Sequence, residues 1–269
     1  LLNILQDRAT ELGVDIQYET DISMDDDLAQ FSDADLIIAS DGLNSRVRNR
    51  YPDEFQSDID VRKNKFVWLG THQMFDAFTF VFEETEHGLI WAHAYRFNKD
   101  TSTFIVECSE ETYDAFGFSS MSKEENSALL EKIFAKYLGG HKLMNNANHV
   151  RGSAWINFPR VICKKWHYKN IVLLGDAAHT AHFSIGSGTK LALEDAIHLA
   201  GVLNSDVAVE DGLKEYQETR HIEVLKIQNS ARNSTEWFEN LHRYTKFEPM
   251  QFAYSLLTRS QRVSHENLR

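Results

Sequence analysis

The stretch NIVLLGDAAHTAHFSIGSGTKLALEDA, residues 170–196, decides the fold. Ile171 to Leu174 is continuously apolar, the pattern of a parallel strand covered on both faces. A tight turn at Gly175-Asp176 ends it, and a loop carries Gly186-Ser187-Gly188 toward a helix. The spacing predicts that helix from about Thr189, with Leu191, Leu193, Ile197 and Leu199 as its apolar residues. Glycines ahead of a helix let backbone N–H groups approach a ligand, and the helix N-terminus favours negative charge there. Asp176, at the carboxyl end of the strand, is placed to accept hydrogen bonds from ligand hydroxyls. The pattern reads as a cofactor cradle, with a generic strand-turn-helix as the plainer alternative.

A second buried strand, Asp35 to Ala39, also runs into an Asp-Gly turn, Ser40-Asp41-Gly42-Leu43-Asn44-Ser45-Arg46-Val47-Arg48. Asn44 or Ser45 is suited to cap a short helix after it. Taken alone, this is equally a capped turn with exposed arginines.

Together, GDAAH at 175–179, Gly186, Gly188 and Glu194-Asp195-Ala196 resemble the second flavin-binding motif of class A flavoprotein monooxygenases, the p-hydroxybenzoate hydroxylase fold. The 40–48 stretch resembles the same family's DG motif. The resemblance implies an α/β (α+β) fold: a Rossmann-like FAD-binding domain, truncated at its amino end, with an inserted antiparallel β-sheet substrate domain and C-terminal helices. The implied boundaries are 1–60 and 159–206 for the two parts of the FAD domain, 61–158 for the sheet and 207–269 for the helical end. Asp41, Gly42, Ser45 and Arg48 fall on positions that lie near the flavin pyrophosphate and serve nicotinamide binding. Gly175, Asp176 and Ala177 fall on the ribityl contact, and Gly186, Ser187, Gly188 and Thr189 on the pyrimidine edge of the isoalloxazine.

The remaining chain fits around these motifs. An opening helix stops at Gly13, and Val14 to Tyr18 alternates apolar and polar residues as a strand does. Asp25-Asp26-Asp27 reads as a solvated acidic turn and not as a metal site. Strands are predicted over 66–74, 78–83, 89–97 and 103–108, with a hairpin connection at 83–88 and antiparallel pairing. Trp91, His93 and Tyr95 share one face by alternation, as do Phe78, Phe80 and Phe82. Such stripes are core material first. The resemblance adds that one face of this sheet walls the substrate chamber, which makes Trp91, His93 and Tyr95 candidate substrate contacts. Ser122 to Glu125 is a capping box for a helix through Leu138, a further strand spans 153–158, and a helix from Gly212 carries Leu213, Tyr216, Val224 and Ile227.

Composition narrows the class. A net charge of −12 over 269 residues argues against nucleic-acid or anionic-membrane partners. The two cysteines, Cys108 and Cys163, form no metal or redox pattern and suit a reducing cytoplasm. No apolar run approaches membrane-spanning length. No G-x-G-x-x-G fingerprint occurs, and the chain opens inside a helix without Met, so an amino-terminal portion is expected to be missing.

Phe183 stands where the wider family commonly has proline, and Lys190 where asparagine is usual. With HFSIGSGTK (182–190), RNSTEWFEN (232–240) and QFAYSLLTRSQRVSHENLR (251–269), the chain is similar to the monooxygenase part of the salicylyl-CoA 5-hydroxylase and 2-aminobenzoyl-CoA monooxygenase/reductase group. A related loop also resembles tryptophan hydroxylases of indole pigment synthesis. The resemblance implies FAD as cofactor, NADPH or NADH and O2 as co-substrates, and a flavin C4a-hydroperoxide that hydroxylates an aromatic ring, here an aryl-CoA thioester. It also implies a homodimer and a following old-yellow-enzyme-like domain. His182 and Phe183 are the residues expected at the reacting centre, Phe183 to shape the pocket and His182 to hydrogen-bond the substrate or relay a proton. Reductase or halogenase chemistry of the same superfamily, and a non-catalytic fragment that holds no FAD, remain the alternatives.

Overall fold

The computed structural model describes residues 1–22, 28–144 and 154–268, in two units, Leu1–Ile37 and Ile38–Arg269. In the first unit α1 (Leu2–Glu11) ends as expected at Gly13, whose φ of +79° suits a residue without Cβ. The Gly13 and Val14 N–H groups return to the Thr10 and Ala9 carbonyls, the double closure of a Schellman end. The strand expected over 14–18 does not form, and Val14 and Tyr18 stand exposed. Alternation prepares a strand, but only a neighbouring ladder makes one, and no strand pairs with this segment among the described residues. The acidic turn at 25–27 lies outside the described residues.

Strand β1 (Ile37–Ala39) leads into the second unit, where Leu174 N donates to Ala39 O at 3.0 Å. Helices α2 (Arg46–Arg50) and α3 (Pro52–Phe55) follow, the latter with proline in its first turn, where no N–H is needed. Then comes β2 (Ser57–Thr71), the long strand on which the sheet is built. Strands β3 (Thr79–Thr85), β4 (Gly88–Arg96) and β5 (Ser102–Cys108) continue it as antiparallel neighbours in the order β3-β4-β5-β2. At the β3–β4 turn Gly88 has φ +120°, and a Cβ there would lie 2.5 Å from Thr112 Oγ1.

Helix α4 (Glu110–Phe116) precedes α5 (Lys123–Ile133), whose Ser122–Glu125 capping box forms as the sequence indicates. The single helix expected to Leu138 breaks at Phe134 and resumes as α6 (Ala135–Leu138). Phe134 leaves helical geometry and is fully buried beside Phe104, ring centres 5.4 Å apart.

Strand β6 (Leu143–Met144) pairs with the end of β2, and β7 (Ile156–Cys163) pairs with its first two-thirds. Strand β7 runs five residues past the expected end at Phe158, through Pro159, and its expected first residue, Ser153, lies outside the described residues. A register shift between Val61 and Lys65 explains the proline. There β2 bulges away, so the missing N–H costs no regular ladder bond. Asn157 Nδ2 holds the bulge, donating to the Arg62, Lys63 and Asn64 carbonyls at 2.9, 3.0 and 3.2 Å.

Strands β8 (His167–Tyr168) and β9 (Ile171–Leu173) complete a small sheet in the order β1-β9-β8. Helix α7 (Gly188–Leu203) buries Leu191, Asp195, Leu199 and Val202. Ile197, expected among the apolar residues of this helix, is 72% exposed because it falls on the opposite side of that stripe. Helix α8 (Val209–Glu239) starts earlier than Gly212 and absorbs the aromatic segment at 234–239. Helix α9 (Pro249–Thr258) follows.

The sheet is covered on both faces. Val67, Leu69, Phe104, Val106, Leu130, Phe134 and Leu138 form one core with α5 and α6. Trp91, Trp237, Phe238 and Leu241, with Phe80 and Phe82, form the other against the end of α8. Replacing Phe104, fully buried between Phe75 and Phe134, by alanine is expected to lower stability by about 3–5 kcal/mol in urea denaturation. A loss under about 1 kcal/mol would mean that this face is not a packed core.

Candidate functional site

Around Gly42 the backbone bends through φ +78°, and no atom lies within 4 Å of where a Cβ would be. Asp41 Oδ2 accepts the Arg46 and Val47 N–H groups at 2.7 and 3.3 Å, and Ser45 Oγ accepts Arg48 N at 3.0 Å. Of the two candidate caps, Ser45 is the one used. Both side chains therefore bind the start of α2. Arg48 is buried rather than exposed, and its guanidinium donates to Leu43 O at 2.7 Å and to Ala177 O at 3.0 Å. Thus one side chain joins the Asp41-Gly42 and Gly175-Asp176 turns, far apart in sequence. Its Nε has no partner among the described residues.

On the other side, Gly175 turns the chain at φ +61°, where an added Cβ would meet Ala192 of α7 at 3.0 Å. The turn is fixed from below by Asp195, fully buried on α7. Its Oδ2 accepts Gly175 N at 3.2 Å and His179 Nε2 at 2.7 Å, while Oδ1 accepts Arg220 Nε at 2.9 Å. His179 is thereby committed to structure. Asp176 stands exposed with no hydrogen bond among the described residues, although the surrounding protein desolvates its carboxyl enough to raise its pKa. Gly186, at φ +60°, and Gly188 both have open space where a Cβ would be, and the first turn of α7 leaves its own N–H groups for an outside acceptor. Ser187 is buried and Thr189 exposed beside them.

These features fit FAD. Open glycine positions face a helix start, a free carboxylate suits ribityl hydroxyls, and a buried guanidinium with an orphaned N–H and no carboxylate partner suits a phosphate. Gly42, Gly186 and Gly188 supply the space, while Asp41, Ser45, Arg48, Gly175 and Ala177 hold it open.

The loop between the two motifs carries His182 and Phe183 onto the sheet. His182 is buried, and its Nδ1 accepts Ser184 N at 3.3 Å, which leaves the proton on Nε2. Burial pushes its pKa down to about 4, the nearby Glu107 charge opposing this only in part. Burial thus favours the neutral ring near pH 7, with Nε2 as its donor. Phe183 packs with ring centres 4.7 Å from Phe66, 5.5 Å from His93 and 6.0 Å from Trp68.

The three sheet residues separate. Trp91 is buried under Phe238 at 5.9 Å and donates Nε1 to Glu107 Oε2 at 3.2 Å. Tyr95 is half-buried, stacked on Phe78 at 5.2 Å. His93 is fully buried and lies against the loop, its Nε2 3.0 Å from Glu107 Oε2. Glu107 and Asn64, hydrogen-bonded at 2.7 Å, were not indicated by the sequence, nor was Arg259, which donates to Ser184 O at 2.8 Å. Glu107 alone carried a signal, a carboxylate inside the apolar run Phe104–Cys108.

Because the folded pKa of His182 lies below the ordinary 6.5, the unfolded chain takes up the proton first. The stability from the neutral ring is complete above about pH 6.5 and is lost as pH falls toward 4. Between pH 7 and 4.5 the wild type should lose about 2 kcal/mol more stability than His182→Gln, measured by denaturant titration at each pH. Parallel profiles would show that His182 is not held neutral.

The comparisons agree with this geometry. Residues 1–230 match a family model described as an FAD binding domain. Salicyloyl-CoA 5-hydroxylase from a Streptomyces species is 42% identical over 97% of this chain and 51% of its own length. Protodeoxyviolaceinate monooxygenase of Chromobacterium violaceum is 33% identical over 95% of this chain and 67% of its own. The chain thus spans about half to two-thirds of these relatives. Among solved structures, 2-methyl-3-hydroxypyridine-5-carboxylic acid oxygenase shares the fold with TM-score 0.60 at 19% identity, covering 84% of this chain and 59% of that one. A probable FAD-dependent monooxygenase from Pseudomonas aeruginosa aligns with TM-score 0.55 at 22% identity, over 78% and 57%. With most of its length matched and the glycine cradle in place, the chain belongs to the FAD-binding-domain family of class A flavin monooxygenases.

Proposed function

We propose that this protein hydroxylates an aromatic ring, using FAD, NADPH or NADH, and O2. The observation that carries the reading is the contact of Phe183, on the cofactor loop, with Phe66 and His93 on the sheet. It sets an aromatic-lined wall directly beside the cradle. Bound FAD would supply the oxygen activation. The chain's own residues orient the ring, exclude water and compensate charge.

The cradle assigns its parts by chemistry. Asp176 is the acceptor for ribityl hydroxyls, and Arg48, seated by Asp41, Gly42 and Ser45, is the cation for the pyrophosphate. The N–H groups at Gly186, Ser187, Gly188 and Thr189 serve the flavin edge on which reduction builds negative charge. Phe183 shapes the pocket, and His182 directs its Nε2–H toward the reacting region. Tyr95 belongs to the rim, while Trp91 supports the wall from behind.

The substrate class follows from the similarity to salicyloyl-CoA 5-hydroxylase: an aryl-CoA thioester whose ortho hydroxyl or amino group activates the ring. A partner subunit or a second flavin domain belongs to the same reading.

Purified chain mixed with FAD and desalted should keep flavin absorbance, and should then oxidise NAD(P)H faster with salicyloyl-CoA and yield a hydroxylated thioester by mass spectrometry. Flavin retention without any oxygenated product would sink the hydroxylase assignment, and a colourless protein would sink the cradle. In the active protein His182→Ala should lower product per NAD(P)H about tenfold with a matching rise in hydrogen peroxide, the scale of one lost hydrogen bond in orientation. Unchanged coupling would remove His182 from the chemistry.

A further inference from the structure

Four polar side chains meet inside the sheet face that Phe183 touches. Glu107, on β5, is fully buried. Its Oε1 accepts Asn64 Nδ2 at 2.7 Å, and its Oε2 accepts Trp91 Nε1 at 3.2 Å and His93 Nε2 at 3.0 Å. Asn64 reaches it from the bulge in β2, a device that re-aims a side chain. Burial by itself would raise the Glu107 pKa, yet the hydrogen bonds from His93 and Asn64 hold it below the ordinary value. The group is an ionised carboxylate in an apolar core, costly to keep and of no use to packing.

What the carboxylate accomplishes is visible at His93. In the tautomer with its proton on Nε2, which donates to Glu107, the ring presents Nδ1 as a bare acceptor. That atom is buried and without a partner among the described residues. Around the ring lie Phe80, Phe238 and Phe183, centres at 5.0, 4.9 and 5.5 Å. Phe183 belongs to the cofactor loop and is only half-buried. A lone acceptor among aromatic rings fits an aromatic ring that carries a hydroxyl or amino donor.

We propose that His93 Nδ1 accepts a hydrogen bond from the activating hydroxyl or amino group of the aromatic substrate, and that Glu107 sets the His93 tautomer that makes this possible. His93 is then a specificity-determining residue and Glu107 a positioning residue acting through it. The inference rests on the aromatic-substrate reading above and names the feature of the substrate that is recognised. Trp91 and Asn64 serve by holding Glu107.

The test is binding of a matched pair, salicyloyl-CoA and benzoyl-CoA, to the FAD-loaded protein by calorimetry. Wild type should prefer the hydroxylated thioester by about tenfold, the scale of one hydrogen bond to a buried acceptor. His93→Phe should erase that preference while keeping or improving affinity for benzoyl-CoA, an outcome that general damage to the fold would not give. Glu107→Gln, which keeps the side-chain shape but lets an amide N–H face Nε2, should weaken the preference, and a full preference in this variant overturns the positioning role of Glu107. Equal binding of both thioesters by wild type, or a retained preference in His93→Phe, overturns the role of His93. Failure of wild type to bind either thioester overturns the aryl-thioester reading itself, a distinct result.

Discussion

The hydrogen bond from the Arg48 guanidinium to Ala177 O is the constraint on which the rest depends. The Asp41-Gly42 and Gly175-Asp176 turns, far apart in sequence, come together only if something inside the protein spans them. Arg48 does so from the first turn of α2, where Ser45 and Asp41 have already fixed the backbone. A planar, permanently charged fork can hold two carbonyls at once, Leu43 and Ala177, which a lysine cannot do with the same geometry. The residue reads as an exposed cation in sequence because nothing local reveals its distant partner.

The inserted sheet must return the chain to this junction, and β2 and β7 do that. They pair over the first part of β2, and the far end of β7 continues into the Ala178–Thr180 segment, where Cys163 N donates to Ala178 O at 3.1 Å and Thr180 N to Val161 O at 3.1 Å. Gln228 of α8 then donates to both Val161 and Thr180 carbonyls, at 2.8 and 2.9 Å. The segment after the Gly175 turn is thus bonded to β7, which in turn pairs with β2, the strand of Phe66. A displacement of one is felt by the other, because the interior between them is packed rather than fluid.

Local order was legible where one residue type and its immediate neighbours determine the outcome. Gly13 ending α1, Ser122 with Glu125 opening α5, and the Gly186-Ser187-Gly188 approach to α7 all belong to this kind. Legibility failed where the partner is distant. The strand expected at 14–18 lacks a pairing edge, Ile197 shares hydrophobicity but not phase with Leu191, and Pro159 hides a strand that a bulge makes tolerable. In the candidate site the glycines and Asp176 carried their own signal, whereas Glu107, Asn64 and Arg259 acquire meaning only from contacts across strands and helices.

The distribution of buried charge shows what the two halves are built to do. Asp195 is buried beside Arg220 and His179, so its charge is answered within the chain, and it serves to hold the Gly175 turn. Arg48 and Arg259, in contrast, are met by carbonyls and hydroxyls. Arg259 donates to Ser184 O, Leu256 O and Ser234 Oγ and lies 4.8 Å from the Phe80 ring, its pKa lowered by desolvation to about 10. Among the described residues neither guanidinium is hydrogen-bonded to a carboxylate, although the Glu107 charge acts on Arg259. Arg48 holds the Ala177 carbonyl and Arg259 the Ser184 carbonyl, so the two cations grip the backbone at either end of the 178–183 segment. At His182 desolvation keeps the imidazole neutral, with Arg62 and Arg259 adding to it and the Glu107 charge opposing it.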